Sequence, residues 1–569
     1  ENQKQAARQV SVSNSINSLR FLNATDWKKF VEQESAIEKA LREDLNGVYG
    51  EMDFYTRDNY RHVVEKISKY SRSPEVEVAR LAIELSRKQV AGTRESHVGY
   101  FLVSSGIRQL EQAAGVKLPF VDRIKRAITA APLFYYITSI SILTFLLGWF
   151  LLYAGYDGDA QNWQLYLLVS VAGIAASQSA IVLVNWLSTL TIKPEALPRM
   201  DFAEAIPDQW RTIVVIPTML GSANDIDQLV EALEVRFIAN REDNLYFALL
   251  TDFQDAHTEH VQGDDVLIAH VKQKIILLNK KYQHVSPGAF MLFHRPRKWN
   301  AREKLWMGYE RKRGKLEELN ALLRKNERGN FSVIIADGQV LPSVRFVITL
   351  DTDTNLPRES AWKMIATLAH PLNRPGYAEQ KERVVRGYTI LQPRVSNSLP
   401  AMRSSLYERM HGNEPGVDPY TRTTSDVYQD LFKEGSFIGK GIYDVDMFIK
   451  ALEGRFPENR ILSHDLVEGC YSRSGFLSDV QLYEAYPSSY YTDMKRRIRW
   501  IRGDWQIARW LFPRVPAADK RSKNNPLTPL SRWKIFDNLR RSLVALSFVV
   551  LLLTGWIFSK SNFIALAVV

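Results

Sequence analysis

Apolar and polar positions fall into three kinds of block along this chain. Residues 127–156 and 165–192 carry no charged side chain. At ~20 residues per hydrocarbon crossing, each is long enough for a membrane span. Gln178 and Asn185 are the costliest polar members of the second, and residues 542–559 form a shorter third candidate. Between the second and third, apolar runs end in polar turns: 211–220 (RTIVVIPTML), 245–252 (LYFALLTD), 346–350 before an acidic pair, and 384–395. Residues 225–235 have helical spacing. Buried strands alternating with helices predict an α/β domain with a mostly parallel sheet. Residues 1–115 are helix-rich, with apolar positions at helical spacing over 31–45 and 76–89 and a start signal at Ser73-Pro74-Glu75. They predict a small helical accessory bundle, with Tyr49, Asp53, Tyr55, Asp58 and Tyr60 on a solvated face.

Charges flanking the apolar blocks set an orientation. Lys117, Arg123, Lys125 and Arg126 precede the first span, and residues 157–163 hold no Lys or Arg. Lys193 and Arg199 follow the second span; Arg532, Lys534, Arg540 and Arg541 precede the third. The positive-inside rule puts residues 1–126 and 193–530 in the cytoplasm, with a transmembrane hairpin at 127–192. Residues 531–541 mix aromatics and cations and read as an interfacial amphipathic helix, with a surface helix of the soluble domain as the alternative. Residues 542–569 read as a span and the start of another.

The chain has 569 residues and a net charge of +11, from 74 Lys and Arg against 63 Asp and Glu. Such a balance suits anionic lipid, a phosphorylated substrate or nucleic acid. The cations are dispersed and no nucleic-acid module is present, so no nucleic acid partner is expected. One cysteine, Cys470, excludes an internal disulfide framework and a cysteine-based zinc site. The opening on Glu1 and the apolar run at 561–569 predict a piece of a longer protein.

Candidate chemistry clusters at strand ends, where α/β sheets bind ligands. Asp351-Thr-Asp353 ends an apolar run, and two carboxylates on one loop suit a hard cation shared with substrate phosphates. A lone Asp-x-Asp is weak evidence; its company strengthens it. Pro217-Thr218 and Asp252 end two other strands, Asp252 having a turn or helix-cap role as its alternative. Gly314-Lys315 opens a helix after a basic run and offers backbone N–H groups and a cation to phosphate. Ser463-His464-Asp465 supplies a carboxylate that can serve as a general base. Residues 494–506 (MKRRIRWIRGDWQ) carry Arg496, Arg499, Trp500 and Trp505. Arginine forks suit diphosphate and indole faces suit sugar rings, while an amphipathic helix on lipid is the plainer reading.

These motifs, in this order, resemble the GT-A-fold membrane glycosyltransferases of the family-2 type, the class of cellulose and hyaluronan synthases. Two departures from that pattern stand out: His464 where the class has Glu, and Arg496 where it has Gln. The runs WMGYERKRGKLEELN, TLDTDTNLP, LQPRVS, GSFIGKGIYDVD, SHDLVEG and RWIRGDWQ are closer to the glycosyltransferase part of cyclic β-1,2-glucan synthases, glycosyltransferase family 84.

The resemblance implies an inverting, processive enzyme that uses UDP-glucose and a growing β-1,2-glucan at the bacterial inner membrane, in contact with membrane lipid. It implies Mg²⁺ or Mn²⁺ on Asp351 and Asp353, and Asp465 as the base. Pro217, Thr218, Asp252, Lys315, Asp351, Arg496 and Arg499 would lie around the nucleotide sugar; Gly439, His464, Trp500 and Trp505 would lie around the acceptor. It further implies a protein-linked intermediate, with Tyr420 and Tyr428 as weak attachment candidates, and a C-terminal cyclising, phosphorylase-like part outside this chain. The alternatives are a synthase of another β-linked polysaccharide and a catalytically silent glucan-export scaffold.

Overall fold

The computed structural model describes residues 2–155, 162–398, 405–411, 420, 424–461, 465–519 and 521–558. The chain divides into two compact units, Glu1–Asp122 with Pro198–Asp201, and Arg123–Leu197 with Phe202–Val569.

The first unit is helical, as its periodicity predicts. The expected helix over 31–45 is broken at Ser35, whose extended backbone and side-chain oxygen, accepting from Glu38 N–H, end one helix and cap the next. The helix expected at 76–89 runs Glu75–Arg87 behind Pro74. The solvated tyrosine face is corrected: Tyr49 and Tyr60 are fully buried, and only Tyr55 is exposed. Tyr49 donates to the buried Glu38 carboxylate at 2.6 Å, and Glu38 also pairs with Arg42 at 3.0 Å. The ring hydroxyls and charges there hold the core together.

The second unit begins with α1 (Pro132–Gly155) and α2 (Asn162–Thr191). Its strands are β1 (Thr212–Leu220), β2 (Leu245–Phe253), β3 (Phe290–Arg295), β4 (Val333–Ile335), β5 (Phe346–Thr349), β6 (Thr354–Asn355), β7 (Ile390–Asn397), β8 (Gly441–Asp444) and β9 (Ser474–Glu484). They form one nine-stranded sheet in the order β4-β3-β2-β1-β5-β8-β7-β9-β6. β3, β2, β1 and β5 are parallel neighbours; β4, β8 and β6 pair antiparallel. The sheet is therefore α/β but mixed: the parallel character expected from the apolar runs holds for β1, β2, β3 and β5, and again for β7 beside β9. The strand expected over 384–395 is split. Gly387 turns the chain at φ +60, and a Cβ there would meet the Arg374 carbonyl oxygen at 1.9 Å. Residues before it join a separate hairpin, Arg383–Arg386 with Gly376–Ala378.

Further helices are α3 (Ala223–Ala239), opened by a Ser222/Asp225 capping box, α4 (Asp264–Lys281), α5 (Arg311–Lys325), α6 (Asp465–Ser472), α7 (Tyr490–Gln506) and α8 (Pro529–Phe558). The predicted interfacial helix and third span are one continuous element, α8. Its first turns are buried at Ser531, Lys534, Ile535 and Asp537. Among the described residues two helices are long and apolar enough to cross a membrane, over Pro132–Tyr153 and Trp163–Thr191.

Where α1, α2 and α8 meet, Asp537 accepts from Arg540 at 2.8 Å, and Arg540 donates to Ser177 and Gln178 at 3.1 and 3.0 Å. Tyr136 donates to Asn185 at 2.9 Å, and Tyr420 to Asp537 at 3.3 Å. Gln178 and Asn185, the costly polar residues of the second apolar block, are thus satisfied between helices. Tyr420 and Tyr428 are both buried and serve packing here, against their reading as glucan attachment points.

One buried group predicts acid sensitivity. His294 on β3 is fully buried, faces Thr251 Oγ1 at 2.9 Å and packs edge-on against Phe253. Burial pulls its imidazole down to about 4, with Asp252 pulling the other way. The unfolded chain then binds a proton from pH ~6.5 downward that the fold refuses. The contribution is complete above pH ~6.5 and is lost as pH falls toward 4, amounting to roughly 3 kcal/mol. Thermal melts between pH 7 and 4 are expected to fall less steeply in His294→Gln than in the unaltered protein.

Candidate active site

The site is built at the carboxyl ends of β1, β2 and β5, on the loop that follows β5. Asp351 and Asp353 lie on that loop, and Thr354 begins β6, which pairs with the end of β9 so that Glu484 stands opposite Thr354. Thr354 Oγ1 donates to Glu484 Oε1 at 2.9 Å. The carboxylate oxygens of Asp351, Asp353 and Glu484 lie within 4.8 Å of one another. The loop is fixed from behind by α3. Buried Arg236 donates to the carbonyl oxygens of Thr352 at 2.7 Å and Thr354 at 2.8 Å, and Asn240 donates to Leu356 at 3.1 Å.

Two lysines occupy the carboxylates. Lys312 on α5 donates to Asp351 Oδ1 at 2.8 Å and to the Gly439 carbonyl at 2.6 Å. Lys440 lies 3.1 Å from Asp351 Oδ2 and 2.5 Å from Glu484 Oε1. Desolvation opposes the charge on Asp351, but Lys312 and Lys440 outweigh it and hold the carboxyl well below the usual range. Asp353 moves the other way: desolvation, then the Glu484 carboxylate, push it up. The donor set is all carboxylate oxygen, which fits Mg²⁺ or Mn²⁺ and not a soft metal.

Asp465 is brought to the same place as the first residue of α6. Gly439 has φ +87, and a Cβ on it would sit 2.8 Å from Asp465 Oδ2. Only glycine fits there, for both backbone and space. The run 435–441 carrying Gly439 and Lys440 is held by Gln392, which accepts from Ile438 N–H at 3.0 Å. Lys534 on α8 donates to the Glu434 and Gly435 carbonyls at 3.0 and 2.8 Å. His464 lies outside the described residues.

Pro217, Thr218, Asp252 and Lys315 also converge. Lys315 Nζ donates to the Thr218 carbonyl and lies 3.2 Å from Asp252 Oδ2. Pro217 is half-buried beside them on β1. Asp252 is 2% exposed. Arg295 grips both its oxygens, at 2.9 and 3.1 Å, so its first partners are internal.

The α7 residues make their contacts elsewhere. Arg496 donates to Asp493 at 2.8 Å and lies over the rings of Trp500 and Tyr486, at 4.6 and 5.4 Å. Arg499 is exposed and has no hydrogen bond or ion pair among the described residues. Trp505 is half exposed and donates its indole N–H to Ser542 on α8 at 3.1 Å.

Local sequence did not reveal Glu484, Lys312, Lys440 or Arg236. Lys312 had one available signal: it precedes Lys315 by one helical turn and shares its face.

With this geometry in hand, sequence comparison adds a relative. The chain is 37% identical over 568 residues, 98% of its length, to the cyclic β-(1,2)-glucan synthase NdvB of Rhizobium meliloti (strain 1021). The chain is a relative of the cyclic glucan synthases. It spans 20% of the length of NdvB. No protein-family model matches the chain. The aligned stretch takes in both units.

Proposed function

We propose that the second unit is a GT-A-type, inverting glucosyltransferase that extends β-1,2-glucan from UDP-glucose. One observation carries the reading: the Asp351/Asp353 loop and Asp465, far apart in sequence, are joined through Lys312 and Gly439, in a relative of a cyclic glucan synthase. Asp351 and Asp353, with Glu484, would hold Mg²⁺ or Mn²⁺, which when bound offsets charge on the departing diphosphate. Asp465 takes the proton of the acceptor 2-hydroxyl. The oxygen of that hydroxyl bonds to the anomeric carbon as the bond to UDP breaks, and UDP leaves with the electron pair. The α-linked donor thereby gives a β-linked product. Arg499, exposed on α7, would face the diphosphate, and Arg496, over the Trp500 ring, would hold Trp500 for the acceptor sugar.

The apolar faces of α1 and α2, with Phe145, Trp149, Trp163 and Trp186 exposed, suit lipid, and we place them in the inner membrane with the catalytic unit cytoplasmic. The glucan would be built on protein and cyclised by a further part of the same polypeptide.

The test uses purified protein in detergent with radiolabelled UDP-glucose. Incorporation of 2-linked glucose that a metal chelator abolishes is the expected result. Product linked only through other hydroxyls would remove the β-1,2 assignment, and no incorporation with no nucleotide binding would remove the enzyme.

A further inference from the structure

The carboxylate cluster contains its own counter-ions, and their placement bears on how donor and metal enter. Lys440 bridges Asp351 and Glu484, two of the three carboxylates that would hold the metal. Lys312 takes the other oxygen of Asp351. Lys440 has a side chain only 12% exposed, so it cannot swing freely into water. Gly439, its neighbour in the chain, is pinned by Lys312 and Asp465.

We infer that Lys312 and Lys440 act as resident cations that a divalent metal displaces from Asp351 and that then pair with the donor's diphosphate, so that metal and nucleotide bind cooperatively. The inference rests on the metal-dependent transferase reading above. Its basis is charge. Three carboxylates and two ammonium groups carry one net negative charge between them. A divalent cation arriving alone turns the group positive and leaves two ammonium groups beside it without partners, which is costly in a desolvated site. The diphosphate of a nucleotide sugar brings two negative charges, that of free UDP up to three, and either re-pairs the lysines. Each ligand therefore lowers the cost of the other, and by linkage the effect is reciprocal. Once paired with the diphosphate, the same two lysines would face the charge that grows on the leaving group and favour departure of UDP.

The experiment measures Mn²⁺ binding to the full chain in detergent, by electron paramagnetic resonance of free Mn²⁺, with and without UDP. The unaltered protein is expected to bind Mn²⁺ about tenfold tighter when UDP is saturating, within the usual range of coupling. Lys440→Met is expected to bind Mn²⁺ alone more tightly and to lose most of that coupling; Lys440→Arg, which keeps the charge, should retain it. Lys312→Met repeats the test independently should Lys440→Met fold poorly. Mn²⁺ binding that is UDP-independent in the unaltered protein, or coupling unchanged in both Met variants, overturns the inference and leaves the transferase standing. Absence of Mn²⁺ binding in every sample with UDP present overturns the metal reading and this one with it.

Discussion

Asp465→Asn is expected to lose glucosyl transfer by ~10²–10⁴-fold, the usual worth of a positioned general base, while UDP binding is kept. The substitution preserves shape. An amide fits against Gly439 as the carboxylate does, and α6 still begins at the same residue. What changes is chemistry: the amide cannot take a proton from a hydroxyl. The Asp351 side of the site reaches Gly439 through Lys312 and the backbone carbonyl, so the variant leaves that link in place. Label incorporation and UDP affinity, measured on the same preparation, separate the two effects. Transfer at the unaltered rate would remove Asp465 from the base role. Loss of UDP affinity along with transfer would make it a structural residue.

The parts of this molecule legible in the sequence are those set by local pattern. β1, β2 and β5 are continuous apolar runs, and their ends fall within a residue or two of the expected positions because a polar turn follows each. Asp351, Asp353 and Asp252 were found because they close those runs. The errors come from single residues that override a pattern. Gly387 breaks a run that reads as one strand, and Ser35 breaks one that reads as one helix. Tyr49 and Tyr60 look like surface because their neighbours are charged, yet Glu38 and Arg61 are drawn inside with them. Glu484 could not be anticipated. It reaches Asp353 only through the short pairing of β6 with β9, and register between distant strands leaves no local trace. Lys440 stands inside a glycine-rich run that reads as a backbone feature, although its ammonium makes the contact with Asp351.

The second large effect concerns Asp252, which sequence position assigns to the nucleotide and whose nearest partners in the structure are cations of the protein itself. Arg295→Met is expected to destabilise the second unit by ~3–5 kcal/mol, the cost of leaving one member of a buried ion pair alone. Arg295 is 1% exposed and serves Asp252 and Glu318 together, with a further bond to the Tyr309 carbonyl at 3.0 Å. Without it, Asp252 is left with the ammonium of Lys315, which burial already pulls below the ordinary lysine range, and Glu318 is left with the Asn330 amide. Gly308 packs so closely that a Cβ there would lie 2.0 Å from Asp252 Oδ2, leaving little room for the carboxylate to turn away. Thermal unfolding in detergent checks the expectation, and Asp252→Asn sharpens it. Asn leaves Arg295 and Lys315 facing each other as like charges, so it too should lower the melting temperature. UDP affinity measured well below that temperature then separates support from contact. Affinity retained means Asp252 holds up the floor of the pocket through Lys315 and Thr218. Affinity lost with the melting temperature unchanged means the carboxylate meets the nucleotide directly, and the ion pair with Arg295 opens when it binds.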